Sequence, residues 1–128
     1  MRPTIIAAVL CVAACHDASL DAPPPGASPA SALEGRVAGS PRTCISTATS
    51  QNGRVLDGAT IAYDSGAVIW VNRMAAACPG LSPYNGMIVE QGEGTQLCRG
   101  DRVRGLEPGG NIPGPGCNLQ DWVPYRRP

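Results

Sequence analysis

The sequence predicts an all-β domain, a small disulfide-stapled barrel or sandwich of about five to seven short strands. Three features predict it. Turn-forming pairs recur at short intervals, among them Asn52-Gly53, Asp57-Gly58, Ser65-Gly66, Pro79-Gly80, Asn85-Gly86 and Gly109-Gly110. Between them lie short runs rich in β-branched and aromatic residues, and no window there carries a helical stripe. The same stretch holds four cysteines, Cys44, Cys78, Cys98 and Cys117.

Thr60 to Tyr63 and Ala67 to Arg73 flank Asp64-Ser65-Gly66 and read as a hairpin. The second run is apolar at consecutive positions, Ala67-Val68-Ile69-Trp70-Val71, so it is expected at the centre of a sheet with both faces covered. Met87 to Glu90, Thr95 to Cys98, Arg102 to Leu106 and Trp122 to Tyr125 are further short strands. Pro108 to Gly116 is read as a surface loop from its proline, glycine and asparagine content.

The chain of 128 residues allows one domain, and its N-terminus explains where that domain works. Arg2 precedes an apolar run, Ile5 to Ala14, too short for a membrane span but suited to a signal peptide. The run ends in Val12-Ala13-Ala14-Cys15, which resembles a lipobox. Residues 1–14 are therefore expected to be a lipoprotein signal peptide, with Cys15 acylated as the anchor. Conventional cleavage after Ala14 is the alternative, since Val12 and Ala14 satisfy that enzyme too. Cys11 follows bulky Leu10 and fits less well.

Residues 15–42 are expected to form a Pro/Ala/Ser-rich tether, with no stable structure over Leu33 to Val37, and residues 43–128 the β domain. Fewer than about 90 residues bury little apolar surface, so the staples matter. Four cysteines in an exported domain imply two disulfides, and no Cys-x-x-Cys pair points to redox or zinc chemistry. Three pairings are open. Cys78–Cys98 across a hairpin, enclosed by Cys44–Cys117, is preferred. The expected address is the periplasmic face of the envelope, with a lean to the outer membrane.

Ten arginines balance ten acidic residues and lysine is absent, so the chain lacks the field that holds a polyanion, and nucleic acid is not an expected partner. The single histidine, His16, lies outside the domain, which leaves no Ser-His-Asp or Cys-His arrangement within it. No metal or other cofactor is expected. Asp57, Asp64, Glu90, Glu93, Asp101 and Asp121 are the carboxylates from which a glycosidase pair would be drawn, at a separation of ~5–9 Å. Most sit beside turns, where aspartates bond local amides, and Asp101 and Asp121 are read as acceptors for arginine or backbone N–H groups. Arg99-Gly100-Asp101 reads as a turn or bulge at Gly100 rather than a recognition tripeptide. The glycines of Gly105 to Gly116 lack the lysine of a phosphate loop.

With no phenylalanine in the chain, Trp70 and Trp122 are expected to fill the core. Tyr84, between Ser82-Pro83 and Asn85-Gly86, is expected to be exposed and is the candidate binding residue.

Cys44-Ile45, Asp57-Gly58-Ala59-Thr60-Ile61, Val71-Asn72-Arg73-Met74, Cys78-Pro79-Gly80-Leu81, Leu97-Cys98-Arg99-Gly100-Asp101 and Cys117 to Pro124 together resemble a family of small exported proteobacterial proteins with a four-cysteine framework and unknown function. Met74 and Trp122 stand where that family leads one to expect Leu and Phe. The resemblance implies one exported domain with paired cysteines, and it implies no catalytic residues.

The expected function is that of a bacterial envelope lipoprotein, bound to the bilayer through acylated Cys15, whose domain is a non-catalytic binding or structural module for an envelope protein or glycan. Two alternatives stand beside it: an inhibitor that plugs a hydrolase with the Leu81 to Gly94 loop, and a carboxylate-dependent hydrolase of cell-wall glycan.

Overall fold

The computed structural model describes residues 28–92 and 94–128. Cys15, the signal peptide and Glu93 lie outside the described residues. Among those described, the elements in chain order are α1 (Pro29–Ala32), β1 (Val37–Ala38), β2 (Cys44–Ser46), β3 (Gln51–Asp57), β4 (Thr60–Ser65), β5 (Val68–Arg73), β6 (Gly86–Glu90), β7 (Gln96–Cys98), β8 (Arg102–Leu106), β9 (Cys117–Asn118) and β10 (Trp122–Arg126). The strands form three antiparallel sheets, ordered β1-β10-β5-β4-β3, β2-β7 and β6-β8-β9. The fold is all-β and sandwich-like, with no closed barrel. Ten strands exceed the expected five to seven because β1, β2 and β9 are only two or three residues long, too short for alternation to be visible, and β3 contains the Asn52-Gly53 pair that reads as a turn.

β4 and β5 form the expected hairpin in unbroken register, with Gly66 at φ 58° in its turn. β5 is central, between β4 and β10, as its two-sided apolar run requires. Its front face carries Trp70, which joins Ile61, Val55 and Trp122 in the main core. Ile45 of β2, Leu97 of β7, Val103 of β8, Leu81 and Leu119 close that core from the smaller sheets and their loops. Trp122 is fully buried, and the Tyr63 ring stands edge-on to it at 5.8 Å and 77°. Its Nε1 finds no acceptor among the described residues, so the ring contributes bulk and no hydrogen bond there. Asn72, buried beside it, donates to Gln120 O at 2.6 Å and accepts from Gln120 N at 2.9 Å. It thereby imitates a strand partner for the segment entering β10.

The back face of the large sheet carries Leu56, Ala62, Ile69 and Val71. Its cover overturns the expected domain boundary. Ala32 and Leu33, assigned to the tether, pack on that face, and β1 pairs with Tyr125 and Arg126 of β10. Gly39 N and Arg42 N then donate to Pro124 O and Trp122 O at 2.7 and 2.8 Å. The folded unit begins by Ser28, and Leu33 to Val37 is part of it. The reason is burial: two apolar faces on one strand need two covers, and the smaller sheets supply only one.

The cysteines do form two disulfides, but not in the preferred pairing. Cys44 joins Cys98, and Cys78 joins Cys117. Cys44 and Cys98 stand directly opposite each other in the β2–β7 ladder, with Cα atoms 4.0 Å apart. Cys78 sits under β8, near Val103 and Pro115, where Cys117 of β9 meets it. Chain proximity suggested Cys78–Cys98; strand order decides otherwise.

Candidate functional site

β3 is an edge strand, and Asn52-Gly53, a turn signal by composition, is here a bulge within it. Gln51 opposes Asp64 and Arg54 opposes Ala62, so three steps on β3 match two on β4. The extra residue returns Gln51 and Arg54 to the same side of the sheet, although side chains three apart on a regular strand face opposite ways. Asn52 takes the strain at φ 52°, the only non-glycine positive φ among the described residues. Gly53 turns to the front, where a Cβ would stand 2.6 Å from the Tyr63 ring and 2.9 Å from Met87 Cε.

The bulge shapes an open polar groove of about 620 Å³ on the back of the sheet. Arg36, Thr49, Gln51, Asn52, Arg54 and Asp64 wall it, and Ile69 supplies buried apolar floor. Arg54 Nη1 donates to Asp64 Oδ2 at 2.8 Å and to Asn52 O at 3.4 Å. Arg36 Nη1 donates to Ala67 O at 2.9 Å. Among the described residues each guanidinium is thus held by one nitrogen, with no partner there for its Nη2 pair and Nε. The side chains of Thr49, Gln51 and Asn52 make no hydrogen bond among the described residues. Two arginines against one aspartate leave the lining one positive charge in excess.

A second hollow of about 350 Å³ lies across Thr49, lined by Arg42, Ser46, Ser50, Trp70 and Gln96. The Arg42 guanidinium covers the Trp70 ring at 5.6 Å, and Trp70 is core as expected.

The predicted site residues are dispersed. Tyr84 is 52% exposed in the loop before β6, and its N–H donates to Ser82 Oγ at 3.3 Å. Asn85 Nδ2 ties that loop to Gly80 O at 2.8 Å. Pro79 and Gly80 share a recess of about 260 Å³ with Ile112, 87% exposed on the Pro108 to Gly116 loop. Cys78–Cys117 staples the base of both loops.

Each described candidate carboxylate is engaged locally. Asp57 Oδ1 accepts from Ala59 N at 2.8 Å, and Asp64 takes Arg54. Asp101 accepts from Cys98 N at 2.7 Å and Gly92 N at 3.1 Å, which closes the turn with Gly100 at φ 93°. Asp121 pairs with Arg99 at 3.1 Å. Glu90 Oε1 accepts from Arg104 Nε at 2.6 Å, and Arg102 Nε approaches Oε2 at 3.1 Å, off the angle of a hydrogen bond.

The Arg104 hydrogen bond, and then the charges of Arg104 and Arg102, hold the Glu90 carboxyl below its ordinary range. A depressed carboxylate stabilises the fold above its unfolded pKa, and that share is lost as pH falls through the folded value. The stability difference between wild type and Glu90→Gln is therefore expected to shrink as pH drops below about 4.3, the ordinary glutamate value. Urea titrations of both proteins across that range check it; a constant difference contradicts it.

The chain matches no protein-family model, no curated protein and no solved structure. The geometry therefore stands alone. The sequence reading missed Arg36, Thr49, Gln51, Asn52 and Arg54; the one signal for them was the Asn-Gly pair, which serves a bulge as readily as a turn.

Proposed function

We propose that this chain is an exported envelope lipoprotein of the four-cysteine kind, anchored through Cys15, whose domain binds another envelope component without transforming it. The carrying observation is the back-face groove, where two arginines, Thr49, Gln51 and Asn52 offer hydrogen-bonding groups that have no partner among the described residues. The carboxylates favour binding over hydrolysis, since Asp57, Asp64, Glu90, Asp101 and Asp121 are each tied to an arginine or a backbone amide. Two disulfides support an oxidising compartment and hence export. An inhibitor reading draws on the other end of the molecule, where Cys78–Cys117 holds the loops bearing Tyr84 and Ile112.

A photo-crosslinking amino acid placed at Gln51, and separately at Tyr84, tests both in living cells. A light-dependent adduct at position 51 is the expected result. An adduct at position 84 alone selects the inhibitor reading, and none at either position overturns the binding proposal.

A further inference from the structure

The groove's chemistry narrows its ligand, on the reading just given that it is a binding site. Its excess of one positive charge suits an anion. The arginines meet that anion with planar, partly held guanidiniums, whose paired N–H groups match the two oxygens of a carboxylate. The remaining wall, Thr49, Gln51 and Asn52, presents a hydroxyl and two amides, each able to donate and accept. Such groups suit a ligand dense in hydroxyls. Ile69 is almost wholly buried, so the groove offers too little apolar surface to select an apolar side chain. The groove is open and lies against the β3 edge of the sheet, which leaves room for a chain ligand.

Asn52 adds a second line of argument. A φ of 52° costs asparagine more than it would cost glycine, so the backbone alone would favour glycine at this position. The side chain retained at that cost makes no hydrogen bond among the described residues and faces the groove. We infer that the groove binds a carboxylate-bearing saccharide, its carboxylate taken by Arg36 and Arg54 and its hydroxyls by Thr49, Gln51 and Asn52.

The test is calorimetry on the full oxidised protein with trigalacturonic acid, with neutral galactotriose and sugar-free glutarate as controls. The uronic trisaccharide is expected to bind at least about tenfold more tightly than either control, a difference of ~1.4 kcal/mol. Arg54→Gln, Asn52→Gly and Gln51→Ala are each expected to weaken it by about fivefold or more. Asn52→Gly separates binding from folding, because glycine relieves the positive φ: its melting temperature is expected to hold or rise while binding falls. Equal binding of galactotriose or glutarate overturns the inference, as does undiminished binding by Asn52→Gly and Gln51→Ala. If no saccharide binds while position 51 still crosslinks in cells, this inference falls and the broader binding proposal stands. If both fail, both fall.

Discussion

Replacing Gly105 by alanine is expected to lower the unfolding free energy by about 3 kcal/mol or more, among the largest effects of any single methyl group in this fold. Gly105 is buried on β8 with its inner side against the Pro79-Gly80 turn. A Cβ there would overlap Gly80 C and O and stand 2.6 Å from Leu81 N. All three are backbone atoms, so no side-chain rotation relieves the overlap. The turn cannot retreat either, since Gly114 closes behind it: a Cβ at 114 would lie 2.9 Å from Pro79 O, and Gly114 N donates to Gly105 O at 2.8 Å. Cys78, next to the turn, is fixed by its disulfide. Gly86→Ala is the control, because its Cβ would meet only ordinary contacts with Leu106 near 3.7 Å. Urea unfolding of both variants checks the contrast; equal, small losses contradict the packing described.

Removing either disulfide is expected to cost roughly 4 kcal/mol, from closed loops spanning 54 and 39 residues. Against the ~5–15 kcal/mol typical of whole domains, each loss leaves a marginal fold. The pairing makes the experiment sharper. Cys44→Ser with Cys98→Ser breaks one bridge and leaves no free thiol, and Cys78→Ser with Cys117→Ser does the same. Cys44→Ser with Cys117→Ser breaks both bridges and leaves two thiols to be labelled. That variant is expected to be unfolded at 37 °C. Were it folded and unlabelled, with Cys78 joined to Cys98, the observed topology would be wrong.

The contrast between those pairings shows what was legible in the residues. Local patterns succeeded. Alternation and turn residues located β4, β5, β6, β7, β8 and β10 within a residue or two, and the continuous apolar run of β5 correctly implied a centre strand. Trp70 was assigned to the core and Tyr84 to the surface on the same grounds. What failed was non-local. β2 and β7 are far apart in the chain and short, so nothing nearby announces that they pair, and the Cys44–Cys98 bridge follows only from that pairing. The N-terminal segment reads as tether because Ala32 and Leu33 are too few to make a stripe; their burial depends on a face created by β3, β4 and β5. The groove shares this origin. Arg36 reaches it only because that segment folds, and Arg54 and Gln51 only because of the bulge opposite Tyr63.

The proposed export bears on the rest of the account, since a domain with so little filling holds its shape through oxidised cysteines. Non-reducing peptide mass spectrometry of the protein taken from the cell envelope examines this at once. The account predicts Cys44 linked to Cys98, Cys78 linked to Cys117, and a leading peptide that begins at lipid-modified Cys15. Native protein in which Cys44, Cys78, Cys98 and Cys117 all react with a thiol reagent would contradict it.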